Sequence, residues 1–178
     1  MLPLMMRAAF FTLVGVAFFV FWVLADPSYE ETASQSERKW VLAFSGVLLL
    51  LAFALPMLAQ LVGERVVFRV SLVPAAGVAL SSFANILEDG LQLEWVFYVF
   101  VLGSAIQLLG NLALTAAIAF VGRGGFRLLA VVPAGTVAAI ILFVVAGGPI
   151  MLATWLTAAA VALALPKRAA AQAAPATP

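Results

Sequence analysis

Long apolar stretches without charge alternate with short charged segments along the whole chain. A helix needs about 20 apolar residues to cross a ~30 Å hydrocarbon core, and the stretches approach or exceed that length. They predict spans at 8–25, 41–62, 70–88, 95–121, 128–146 and 149–165. The last two come from one uncharged run that is too long for a single crossing. It is divided at Gly147-Gly148-Pro149, because Gly/Pro clusters mark turns; a re-entrant pair is the other way to use this run. The fold class is therefore an all-α integral membrane protein. Residues 1–168 form one six-transmembrane-helix bundle built from three helical hairpins, with both termini inside. The tail 169–178, rich in alanine and ending in proline, carries no pattern and is expected to be disordered.

Orientation follows from the basic residues flanking the spans. With the N-terminus inside, Arg7, Arg65, Arg69, Arg123, Arg127, Lys167 and Arg168 lie on the inner side, and only Arg38 and Lys39 on the outer. Of the acidic residues, only Glu64 falls inside. Five spans would put Arg123 and Arg127 opposite Lys167 and Arg168. Trp40 and Trp95 open the second and fourth spans on the outer side, where an indole sits among headgroups. The polar first outer loop, starting at Asp26 and containing Tyr29, reads as a flexible or partly helical cap. Arg7 and Val23-Leu24-Ala25 resemble the ends of a cleavable signal. The apolar run between them, at about 18 residues, exceeds the roughly 7–15 of such signals, so the first span is expected to be retained.

Composition agrees with a lipid solvent. Of the 178 residues 66% are hydrophobic and 10% charged, with mean hydropathy +1.19. A soluble domain has about 45–50% apolar and about 25% charged residues, and a chain this short has too little interior to hide the excess. The Ala, Val, Leu and Arg bias is that of a GC-rich bacterial genome, which points to the plasma (inner) membrane of a bacterium. No basic patch with interleaved aromatics suggests nucleic acid. The expected partners are membrane lipids and other membrane subunits or further copies of the chain.

Cysteine and histidine are absent. That excludes thiolate and imidazole metal sites, haem ligation by histidine and histidine acid–base chemistry, so no cofactor or metal is expected. No lysine lies within a span for a retinal Schiff base, no aspartate lies mid-span for an aspartyl protease, and no phosphate-binding glycine motif occurs.

The polar residues within the spans carry what chemistry there is. Gly77, Ser81, Asn85 and Glu88 share one face of the third span, and Gly103, Gln107, Asn111 and Thr115 one face of the fourth. At 1.5 Å per residue, Ser81 comes to the depth of Gln107, and Asn85 faces the region of Ser104. Two readings are open. The stripes are either an interhelical hydrogen-bond seam or a polar cleft opening outward at Glu88 and Asp89. The candidate ligand-binding set is Ser81, Asn85, Glu88, Ser104, Gln107 and Asn111; no catalytic residue is assigned. Pro56, Pro74 and Pro133 lie within spans and can kink them. Arg65-Val-Val-Phe68-Arg69 is echoed by Arg123-Gly-Gly-Phe126-Arg127. Topology explains this basic cluster, and contact with anionic headgroups is the other reading.

These features point to a membrane module without catalytic apparatus, an accessory protein or one that binds a small ligand or lipid. The alternative is a small-solute or ion transporter or channel using the cleft between spans three and four. An enzyme acting at the outer surface through Glu88 and Asp89 is the weakest of the three.

Reporter fusions after Arg65, Arg123 and Arg168 should report the cytoplasm, and fusions near Ser34 and Gln92 the outside. An outside signal at Arg168 would remove the six-span arrangement.

Overall fold

The structure, a computed structural model, describes residues 3–25, 38–90 and 93–173. The described residues are helical without strands, and six helices are long and apolar enough to cross a membrane. They are α1 (Leu4–Ala25), α2 (Arg38–Val62), α3 (Arg65–Asn85), α4 (Phe97–Val121), α5 (Val131–Ile141) and α6 (Phe143–Ala173). A π-helical turn, Ile86–Gly90, prolongs α3, and a 3-10 turn, Glu94–Val96, leads into α4. Most of the first outer loop lies outside the described residues.

Local chemistry sets the breaks. Gly63 takes φ +80 after α2, the left-handed stop that glycine adopts without a Cβ clash. Before α5, Gly124–Ala130 winds as a 3-10 helix. This matters for length, because α5 has only 11 residues of its own. Seven residues at about 2.0 Å followed by α-helical ones at about 1.5 Å bring the pair to roughly 30 Å. Pro56 and Pro74 sit inside α2 and α3 without ending either helix.

One expectation is corrected. The fifth and sixth helices do not part at Gly147-Gly148-Pro149. They part at Leu142 alone, which leaves helical geometry at φ −99, ψ 23. Its carbonyl accepts from the amides of Val145 and Ala146 at 3.1 and 2.9 Å, so α6 starts at once. The two glycines serve close packing instead. A Cβ on Gly147 would stand 2.8 Å from the Ala139 carbonyl oxygen, and one on Gly148 would strike the Trp22 ring. The Trp22 indole N–H donates to the Phe143 carbonyl, so α1 holds the start of α6 from the side. Helix α6 runs to Ala173, and residues 174–178 of the tail lie outside the described residues.

Each helix packs on its neighbours in sequence, and α1 closes against α6. The result is a ring of six helices. Phe11, Val14, Leu51, Leu55, Leu58, Leu114, Ile118, Leu129, Met151 and Trp155 fill its interior. The outer wall is apolar too: Phe120 is 83% exposed and Val145 79%, which suits a lipid surface.

The most extensive packing joins α3 to α4. Here the backbones touch. A Cβ on Gly77 would lie 2.5 Å from the Gln107 amide nitrogen, one on Gly103 2.8 Å from the Ser81 amide nitrogen, and one on Gly110 2.7 Å from the Pro74 nitrogen. Gly77→Ala and Gly110→Ala should each lower stability by about 1–3 kcal/mol, the usual cost of overpacking. Gly46→Ala, whose added Cβ meets nothing within 4 Å, should be neutral or stabilising. Thermal unfolding in a single detergent checks this; indifference at Gly77 would refute the contact.

Candidate functional site

The α3–α4 contact decides where polar groups go. Its register differs by one turn from the helical-rise expectation. Ser81 stands opposite Gly103 and Ser104, and Gly77 opposite Gln107. The glycines set this register, because only at those positions can the backbones meet. Along this contact the two backbones touch. The open space lies on the inner side of this pair, in the middle of the ring.

That space is a cavity of about 200 Å³ with lining residues from all six helices. Phe18, Phe44, Phe100 and Phe143 give it aromatic walls, and Leu48, Leu51, Ile140 and Met151 aliphatic ones. Its polar positions are Ser81, Ser104, Gln107 and Thr136. The Ser81 hydroxyl lies 3.3 Å from both the Phe100 carbonyl and the Ser104 hydroxyl. The Thr136 hydroxyl donates to the Val132 carbonyl at 2.9 Å, leaving its oxygen free to accept. Gln107 differs from these. Only 5% of it is exposed, it lines the cavity, and its side-chain amide bonds to none of the described residues. The amide opens onto the cavity, where a ligand or water can bond to it.

The other expected site residues lie elsewhere. Asn85 turns to α2, donating to the Ser45 hydroxyl at 3.0 Å and the Val41 carbonyl at 3.3 Å. Beside it the Ser82 hydroxyl donates to the Ser45 carbonyl at 2.9 Å. Asn111 is fully buried and donates to the Gln107 carbonyl at 2.9 Å, while its Oδ1 has no partner. Thr115 continues the same pattern, donating to the Asn111 carbonyl. These bonds stay within α4. Glu88 is half-buried in the π-helical turn and does not line the cavity. The Asp89 side chain lies outside the described residues.

A second pocket, of about 220 Å³, adjoins the first near the Trp40 end of α2. Phe21, Trp40, Val41, Phe44, Asn85 and Phe143 line it. Phe44 and Phe143 belong to both spaces, with ring centroids 6.3 Å apart. Phe21 stacks on Phe44 at 5.1 Å, and Phe18 meets Phe143 edge-on at 6.1 Å.

Reasoning from polar residues alone missed Thr136, Ser45 and the aromatic walls. Ser45 had a signal, as a lone hydroxyl mid-run in span two. The phenylalanines had none, because 14 are scattered over the spans. Among the described residues no three carboxylates gather into a metal-binding group. Comparison with known proteins found no matching family model, curated protein or solved structure.

Asn85→Leu should cost about 1 kcal/mol, since each interhelical bond in a membrane averages ~0.6 kcal/mol and two are lost. Asn111→Leu should be neutral or stabilising, since it removes an unpartnered oxygen. Unfolding midpoints of the two variants in the same detergent give the comparison.

Proposed function

We propose that this chain is a non-enzymatic multi-pass protein of the bacterial inner membrane that holds one small ligand at the centre of its helical ring. The observation that carries the reading is the unpartnered Gln107 amide facing a cavity lined by every helix. The lining describes the ligand. Four phenylalanines favour a flat apolar body, and Gln107, Ser81, Ser104 and Thr136 favour one polar end that both gives and takes hydrogen bonds. Size limits it. An engineered cavity of about 150 Å³ takes benzene, and drug-sized ligands occupy about 300–1,000 Å³. About 200 Å³ suits a single ring with a polar substituent. The same reading keeps both termini in the cytoplasm, on the basic flanks, and an accessory role beside other membrane subunits remains compatible with it.

Transport is the second reading, and one observation favours it: the two pockets share Phe44 and Phe143. Rotation of these rings would join the spaces into a path from one end of the bundle to its middle.

Fluorobenzyl alcohol followed by fluorine NMR should show saturable binding to the protein in nanodiscs. Ser104→Leu, which fills the cavity, should abolish it, and Gln107→Leu should weaken it. Binding that is equal in wild type and Ser104→Leu removes the ligand reading. The chain contains no cysteine, so Gln107→Cys separates binding from transport. A water-soluble thiol reagent from outside should leave position 107 unlabelled while partly labelling Asn85→Cys. Rapid labelling at both would put transport first.

A further inference from the structure

The basic end of the bundle carries a second groove, of about 340 Å³, around the α2–α3 turn. Ala59, Gln60, Gly63, Glu64, Arg65, Phe68 and Arg69 line it. Sequence alone places four arginines here as one cluster; the structure sorts them into two kinds. Arg123 is committed to Glu64, Nε to Oε1 at 3.3 Å. Arg127 is committed to its own turn, its Nε donating to the Gly122 carbonyl at 2.7 Å. Arg65 and Arg69 are exposed, one helical turn apart, and have no ion pair among the described residues. Glu64 lines the same groove and pairs with Arg123, so against Arg65, Arg69 and Arg123 it leaves the groove with a surplus of basic groups. Arg7, 4% exposed, donates to the Gln60 Oε1 at 3.1 Å and does not line the groove.

Arg65 and Arg69 lie in the first two turns of α3, at the positive end of its dipole, where the acidic group is Glu64 at the N-cap and none follows in the first turn. That placement is unfavourable alone and becomes favourable with an anion in the groove. The groove lies at the shared end of two helices long and apolar enough to cross a membrane. Val66 and Phe68 expose apolar surface beside it, at 56% and 36%, in line for an acyl chain.

We infer that this groove binds the phosphate of an anionic phospholipid, held by Arg65 and Arg69, with the lipid chain running down Phe68. Guanidinium groups suit phosphate oxygens because their fork matches two acceptors at once. The site is separate from the central cavity and does not depend on it.

Native mass spectrometry of the detergent-released protein tests this, with phosphatidylglycerol or phosphatidylcholine added. The wild type should retain phosphatidylglycerol over phosphatidylcholine. Arg65→Gln and Arg69→Gln should each weaken retention about fivefold and the double variant roughly 30-fold, the size expected for cationic residues at an anionic surface. Arg127→Gln, outside the groove, should retain the lipid, and the single variants keep the test valid should the double variant fail to fold. Equal retention by wild type and the single or double variants overturns the site. Equal retention of the two lipids overturns its charge selectivity. Binding of inorganic phosphate with no retention of phosphatidylglycerol overturns the lipid as occupant in favour of a soluble anion.

Discussion

The backbone contact of α3 with α4 is the constraint on which the rest of the structure rests. In hydrocarbon no hydrophobic force drives helices together, so association depends on close packing. Gly77, Gly103 and Gly110 supply it by bringing one helix backbone against the other, with Pro74 in the same seam. Close approach fixes register more tightly than side-chain hydrogen bonds worth a fraction of a kcal/mol. Ser81 is thereby set against Ser104 and the Phe100 carbonyl. Gln107 is left on the side facing the ring's interior, where no described residue meets its amide. The cavity's polarity follows from where glycine lets backbone touch backbone.

The opposite wall depends on α1 and α6. Gly148 makes room for the Trp22 ring, whose N–H holds the Phe143 carbonyl just beyond the one-residue turn at Leu142. Phe143 is thereby fixed beside Phe18 and Phe44. These aromatics divide the central cavity from the pocket near Trp40. Flat rings can rotate without leaving their packing sites, whereas the glycine seam cannot yield without parting the helices. One side of the cavity is a backbone seam, and the other is a set of packed aromatic rings.

The bundle's two candidate sites divide along chemical lines. The central one is mostly apolar, with neutral hydrogen-bonding groups that a membrane interior tolerates. The basic groove lies at the end of the helices, where guanidinium groups stay hydrated. There Arg65 and Arg69 are exposed and have no ion pair among the described residues.

The sequence by itself determined that six helices are long and apolar enough to cross a membrane, because the hydrocarbon core imposes its length on every crossing, and that cysteine and histidine chemistry is absent. It also singled out Ser81, Ser104 and Gln107, since a polar side chain stands out in an apolar run. It did not determine what Gly147 and Gly148 do. Glycine signals a turn and a close approach with the same letter, and only the position of Trp22 and Ala139 distinguishes them. It placed Asn85 on the wrong partner, because a residue on the edge of a helical face can turn to either neighbour, and Ser45 of α2 was the one within reach. Nor did it mark four phenylalanines among 14, or separate committed arginines from free ones. These depend on which distant segments meet, and that was decided only in the tertiary structure, where glycine contacts set the register and ring closure set the interior.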